Sequence, residues 1–414
     1  MLRTLPLLTA ICLLNSLLAQ PGWTVYNQGN GGLGTGPYSG VAIDGSGNIW
    51  AAGGYLGVSK FNGSAWTHYT TFNSELPTSS ISELAIDNTG RIWASHYLGI
   101  SVLDGADFIL YNNSNTPLPG EEVYTLNRAP DGKMWIASKD GVGGARGVTV
   151  YDGTTWTNLT DYPSQLESAD FNRFAFTSTG TVWMATQPAM TKYENDAFTF
   201  YPTVTTQLWI ANSVAVDEAG TMWAGGFDGL LKYNGTWNFQ ENVSFGFPEN
   251  TIYYCMLVDG NYLWMGTSQG FIKYNRTTGT IVAIYDDSNS PLEANGVIAV
   301  KKDIQGNLWL ATTVGVVKMD PTAVVGMEEA TGRSPGLRVY PNPADGAVTL
   351  LTTGLPSGNV SVRITDITGQ VVHSERRVQA AQTTLDLTGL AAGIYQVSVA
   401  DERGATATER VVIR

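Results

Sequence analysis

Through most of residues 22–320, apolar and polar positions alternate with a period of two, in short runs broken by Gly, Asn and Asp. That period marks half-buried strands, and the breakers mark tight turns. Residues 81–112 show the unit. Positions 81–86 alternate, Asp87-Asn-Thr-Gly90 turns, and 92–95 form a second strand. Positions 99–103 form a third, Asp104-Gly105 turns again, and 108–111 form a fourth. Four short strands joined by hairpins make one sheet.

The unit recurs. Trp50, Trp93, Trp135, Trp183, Trp223, Trp264 and Trp309 follow one another at spacings of 40 to 48 residues. Gly stands three residues before each at Gly47, Gly90, Gly132, Gly180, Gly220 and Gly306, with Asn261 in the sixth. Both residue types tolerate positive φ. Asp44, Asp87, Asp217 and Asp303 stand three residues earlier still, placed to bond the turn's own backbone. Two residues after each Trp comes a small residue: Ala52, Ser95, Ala137, Ala185, Gly225, Gly266 and Ala311. Residues i and i+2 share a strand face, so each indole lies beside a gap into which the next sheet packs. Seven sheets stacked in this way form a closed ring. The last repeat stops near Asp320 without a fourth strand, while Trp23-Thr-Val-Tyr26 matches Trp66-Thr-His-Tyr69 ahead of the first full repeat. The amino terminus is therefore expected to supply the missing strand and close the ring.

Residues 337–414 have no such repeat. Alternation at 337–340, 348–351, 360–366, 371–375, 383–387, 395–400 and 407–413 predicts seven strands in 78 residues, a small immunoglobulin-like β-sandwich. The fold class is thus all-β: a seven-bladed β-propeller over 20–320, a linker over 321–336 and a sandwich over 337–414. Residues 1–19, with Arg3 ahead of an apolar run, read as a signal peptide. No other stretch is apolar enough to span a membrane.

The net charge of −13 falls on residues 20–320, because the signal's +1 offsets the linker's −1 and the tail is balanced. An acidic surface repels phosphate backbones, which excludes nucleic acid as a partner. Cys255 is the one cysteine beyond the signal, so no intrachain disulfide is expected. By spacing from Trp264 it aligns with Val41, Leu84, Leu126, Phe174, Val214 and Val300, as a buried structural thiol. Histidine and cysteine are too few for a transition-metal site, and no cofactor is implied.

Ligands are expected at the channel mouth, on the face carrying the turns between second and third strands and the connectors between blades. The candidates there are Tyr55, His96, Tyr97, Lys139, Asp140, Arg146, Phe227, Asp228 and Gln269. The third blade alone has an insertion, between Lys139 and Arg146. Tyr38, Phe72, Trp209, Phe245 and Phe247 in the connectors offer stacking surface. His96, expected to be solvated, is the candidate base for an enzyme reading with Asp140 or Asp228. No catalytic residue is assigned. A binding module for a glycan or a surface partner is the leading expectation; a lyase or glycan-processing enzyme and a structural surface component are the alternatives.

Gly90-Arg-Ile-Trp93, Gly229-Leu-Leu-Lys-Tyr233 and Leu76-Pro77 resemble the repeats of the two-component regulator propeller family over residues 22–320. That family's propellers serve as extracellular sensor halves, but this chain shows no kinase or DNA-binding segment. The Asp-x-x-Gly-x-x-Trp core is also similar to virginiamycin lyase propellers. In the tail, Tyr340-Pro341-Asn342-Pro343, Asp366-Ile-Thr-Gly369, Leu390-Ala-Ala-Gly393-Ile-Tyr395 and Arg410-Val-Val-Ile-Arg414 resemble the type A sorting domain of the type IX (Por) secretion system. The resemblance implies a Bacteroidota source, recognition by an outer-membrane translocon, removal of the tail by a sortase-like peptidase, and release or surface attachment by way of the periplasm.

Overall fold

A computed structural model of the protein describes residues 22–29, 32–34, 36–53, 56–141, 146–159, 170–188, 190–287, 289–292, 296–322, 336–340, 344, 346–353, 359–366, 370–378, 382–401 and 406–413. The signal segment 1–19, Tyr55, Pro341, Asn342, Pro343 and Gly369 lie outside these. The chain divides into two compact units, meeting in sequence at Val324 and Val325.

In the first unit, seven four-stranded antiparallel sheets succeed one another. Their innermost strands are Tyr38–Ile43, Glu83–Ile86, Glu122–Arg128, Asp170–Phe176, Ala211–Val216, Tyr253–Asp259 and Val297–Lys302. Each packs against the next, and the seventh packs against the first, which closes a seven-bladed propeller. In the seventh blade Trp23–Tyr26 is the outermost strand, antiparallel to Val316–Met319 in the register Trp23↔Met319. The Asp320 N–H donates to the Gly22 carbonyl at 2.7 Å beyond the paired strands.

The ring has no single core. Seven apolar clusters each draw on two successive blades and each contains one repeat indole, from Trp50 between blades one and two to Trp309 between seven and one. The small residue two after each Trp is what permits this approach. A Cβ on Gly225 would lie 2.6 Å from that of Tyr253, and one on Gly266 would lie 2.1 Å from the Val297 carbonyl oxygen; Tyr253 and Val297 belong to the next blade's inner strand.

The turn aspartates do more than cap. In blades one, two and seven, one carboxylate oxygen accepts turn amides while the other accepts the indole N–H, at 2.9 Å for Asp44–Trp50, 3.0 Å for Asp87–Trp93 and 2.9 Å for Asp303–Trp309. Burial pushes these carboxyls up, but the hydrogen bonds outweigh it and hold all three below the usual range. In blade five Asp217 instead takes Arg276, and the buried Trp223 indole N–H is left without a partner.

In five blades a lysine faces the indole from the third strand: Lys60, Lys192, Lys232, Lys273 and Lys318, each ammonium 4.9–6.0 Å from its Trp ring. Val102 and Val150 take that place in blades two and three. Five of the chain's nine lysines are spent this way, as cation–π contacts with apolar stems laid on the sheet.

The sixth blade departs from the sequence expectation. Asn261 does not take the positive φ; Gly260 does, at 54°, in a turn between Asp259 and Tyr262 that is shorter than the five-residue turn of blade one. The shorter turn shifts the alignment by one residue. Cys255 therefore pairs with Gly266 as Gly40 pairs with Ala52 and Glu83 with Ser95, so it occupies the position that faces the next blade's inner strand, not that of Val41. Its thiol is buried beside the Val297 carbonyl, 3.6 Å away, and burial pushes its pKa up to about 12.

The second unit is a sandwich of two sheets. One holds Gly336–Tyr340, Ala347–Thr353 and Gln382–Asp386; the other holds Val371–Val378, Asn359–Asp366, Gly393–Asp401 and Thr406–Ile413. One continuous apolar cluster, including Val348, Val362, Ile364, Leu385, Val397 and Val411, fills the space between them. Tyr395 anchors the loop before its strand by donating its hydroxyl to the Ala391 carbonyl at 2.8 Å. Asp366 closes its turn by accepting the Gln370 N–H at 3.0 Å.

Candidate functional site

Because every blade is an antiparallel meander, its second-to-third-strand turn and its connector to the next blade emerge at the same end of the ring. Three connectors are fixed by one device. The side chains of Asn73, Asn115 and Asn289 each accept a backbone N–H three residues back, and each donates to a carbonyl five residues back at 2.9 Å. Leu76, Leu118 and Leu292 then bury themselves between blades. Phe247 takes the corresponding place after blade five, and Tyr38 is enclosed at the start of its strand. The expectation of exposed stacking rings thus fails for Tyr38 and Phe247, because both fill inter-blade apolar space, and Phe245 is half covered against Tyr274. It holds for Phe72 and Trp209, 97% and 61% exposed.

His96 is a correction as well. It is fully buried, not solvated. Its Nδ1 accepts the Leu98 N–H at 3.2 Å, which leaves the proton on Nε2 to donate to Ser101 Oγ at 2.9 Å. Thr267 and Thr312 do the same work in blades six and seven, accepting the N–H two residues on through Oγ1. His96 is a turn clamp. Burial lowers its pKa to about 4, so it is neutral at physiological pH. The other propeller histidine, His68, lies between Ser59 Oγ and the Gly32 carbonyl at 2.8 and 2.9 Å.

The remaining candidates separate into groups. Tyr97 is exposed, and Gln269 donates its backbone N–H to Thr267. On blades three and four, Lys139 and Arg146 are cross-strand partners at the ends of the insertion. Arg146 Nη1 lies 2.8 Å from Asp170 Oδ1, while Lys139 Nζ lies 3.9 Å from Asp170 Oδ2, 4.0 Å from Glu122 and 4.9 Å above the Tyr124 ring. Asp140 is exposed beside them. On blade five, the Asp228 carboxylate accepts the Trp209 N–H at 3.2 Å, tying connector to turn, and Phe227 stands next to it, 37% exposed. Asn172 joins the two groups: it begins two residues after Asp170 and donates to the Ala211 carbonyl at 2.7 Å, two residues beyond Trp209.

Glu122, Tyr124, Asp170 and Asn172 were not among the sequence candidates. They sit at the start of inner strands, where a bulge interrupts the pairing with the second strand, between Val123 and Thr125 in one blade and Phe171 and Arg173 in the next. A bulge re-aims the extra residue, so Tyr124 and Asn172 reach the following blade: Tyr124 Oη accepts the Phe171 N–H at 3.3 Å. Deeper in the channel, Glu83 accepts Thr125 Oγ1 at 2.7 Å and the Leu126 N–H at 3.1 Å, and Arg173 approaches it at 3.5 Å. These groups border an axial cavity of about 100 Å³ to which all seven inner strands contribute. Among the described residues no group of His, Cys, Asp and Glu is arranged to hold a metal ion, and no helix is long and apolar enough to cross a membrane.

Residues 338–414 match the family described as the secretion system C-terminal sorting domain. No curated protein matches the chain. Among solved structures it is similar to PorZ of Porphyromonas gingivalis, a surface component of the type-IX secretion system, at 19% identity and TM-score 0.53, over 90% of this chain and 59% of that one. It is similar to a structure described as the extracellular domain of a hybrid two component system of B. thetaiotaomicron, at 19% identity and TM-score 0.63, over 95% of this chain and 57% of that one. It is also similar to virginiamycin B lyase of Staphylococcus aureus, at 15% identity and TM-score 0.56, over 72% of this chain and 98% of the lyase. The chain spans less than three fifths of the length of the first two. At such identities the likeness establishes the propeller fold. The tail is a sorting domain of the type IX secretion system, and the protein is exported by that system to the medium or the cell surface.

Proposed function

We propose that the propeller is an exported binding module whose ligand seat is the rim of blades three to five, and that it takes a glycan or a surface protein. In this reading residues 20–320 are the mature module, and a sortase-like peptidase removes the tail within 321–336. One observation carries it. Trp209 and Phe227 both present ring surface to solvent on a pinned support, the Asp228 carboxylate next to Phe227 accepting the Trp209 N–H. An open indole beside a fixed hydrogen-bond acceptor suits a sugar ring, which offers an apolar face and a girdle of hydroxyls. The charged Lys139, Arg146, Asp170 and Glu122 cluster lies along the same rim and supplies directional contacts. The enzyme alternative gains nothing from His96, which is enclosed and neutral.

The test is a glycan panel and surface-extract screen with the full chain, followed by titration of the best ligand. Trp209→Ala should weaken binding about 30-fold, as loss of a central aromatic anchor does, while Phe72→Ala leaves it unchanged. Wild-type affinity in a Trp209→Ala, Phe227→Ala double variant would place the seat elsewhere.

A further inference from the structure

The four-stranded sheet of the sorting domain has one face on the core and one turned outward, and the register assigns every residue to one or the other. Val360, Val362 and Ile364 face the core with Val397, Val399 and Val411. The alternate residues form outward rows: Val371, Thr365, Gln396 and Arg410 across all four strands, then Ser374, Arg363, Ser398 and Thr408, then Arg376, Ser361 and Ala400. Three arginines, Arg363, Arg376 and Arg410, thus stand exposed on one surface. Among the described residues no Asp or Glu falls in these rows; Asp366, Glu375 and Glu409 lie in rows of the opposite parity. Three of the tail's seven arginines thus share one face, and no carboxylate among the described residues falls in its rows.

Two further features belong to that face. Ile394 and Val371, 47% and 46% exposed, are large aliphatic groups on that surface. Thr365, Asp366, Ile394, Tyr395, Gln396, Thr408, Glu409 and Arg410 line a depression of about 610 Å³, with Asp366 and Glu409 reaching its border from rows of the opposite parity. Three of the four sorting motifs meet there: the turn opened by Asp366, the Gly393-Ile394-Tyr395 entry to the central strand, and the closing strand at Arg410. Motifs far apart in sequence converge on one surface, and packing of the core accounts only for Tyr395 among these lining residues.

We propose that this outward sheet face is the surface by which the type IX machinery reads the tail, and that its partner there is an acidic protein surface of that machinery bearing exposed aliphatic side chains. Cation rows set orientation and encounter, while Ile394 and Val371 supply the buried contact. The inference rests on the sorting domain and not on the propeller's ligand.

The experiment expresses the full chain in a bacterium carrying the type IX system and compares medium, surface and periplasm. Arg363→Glu, Arg376→Glu and Arg410→Glu together should reduce exported protein by about tenfold or more, with folded full-length chain held in the periplasm. Substitution of the same three by Gln should give a smaller loss, and Lys133→Glu with Lys302→Glu on the propeller should give none. Ser398→Trp, which blocks the face without altering charge, should also retain the chain in the periplasm, so a misfolded Glu variant does not decide the matter. Trp209→Ala should export normally, which keeps this test separate from that of the propeller's binding seat. A photo-crosslinker at Gln396 should trap a component of the secretion machinery. Wild-type export of the Glu and Trp variants would overturn the proposal, as would a crosslink only to a second copy of this chain or only to lipid.

Discussion

The propeller and the sandwich solve the same problem of covering β-sheet in opposite ways. The ring divides its apolar interior into seven interfaces, each built on one indole, and closes them with a strand borrowed from the other end. The sandwich puts all of its apolar side chains into one cluster between two sheets. Their charges differ as well. All nine lysines lie in the propeller, five of them over indoles, whereas the seven Lys or Arg residues of the tail are all arginines. In one unit five lysines are absorbed by packing; in the other three arginines are set out on a face. A repeated architecture spends its residues on the joint between units, and a single-core domain leaves a whole sheet surface free.

The strongest way to break this comparison is to empty each interior. Trp93→Ala removes a buried indole from one interface and should cost the propeller about 3–5 kcal/mol, while Ile364→Ala should cost the sandwich about 2–5 kcal/mol. Calorimetry should show each substitution lowering its own transition alone; a common shift would mean that the two interiors are not separate. Acid should sharpen the contrast next. Asp44, Asp87 and Asp303 titrate below their unfolded range, so their contribution is complete above about pH 4 and is lost as pH falls through the folded values. Among the sandwich's described residues the one carboxylate held low is Asp386, which is fully exposed. The propeller's melting temperature should therefore fall more steeply below pH 4, and Asp87→Ala, which strands the Trp93 N–H, should cost about 1–3 kcal/mol at neutral pH and flatten that dependence. The smallest effect belongs to the lysines: Lys232→Met should cost about 0.5–1 kcal/mol by chemical denaturation, and no loss would reduce the five contacts to coincidence.

The ring was legible in the sequence because each blade states the same rule again. Trp, a Gly or Asn three before it and a small residue two after it gave seven readings of one joint, so Gly260 taking the place of Asn261 misaligned only Cys255. The sandwich strands were legible from alternation and motif order without repetition. The candidate site was less so. Its residues arise where blades differ: in the side chains Tyr124 and Asn172 carried at a shared bulge, at the connector bearing Trp209, at the insertion flanked by Lys139 and Arg146. His96 misled because a loop histidine and a buried turn clamp look alike until Ser101 and the Leu98 amide are in place. A bulge opens the inner strand in six of the seven blades, and only the pairing registers reveal it.

The strand from Trp23 to Tyr26 finds its partner at Val316–Met319, almost three hundred residues downstream. Because synthesis runs from the amino terminus, the Trp23–Tyr26 strand is made first and has no partner until Val316–Met319 has followed. The same edge of blade seven can accept the leading strand of a neighbouring copy, so raising the concentration of folding chains should favour linked rings over closed ones.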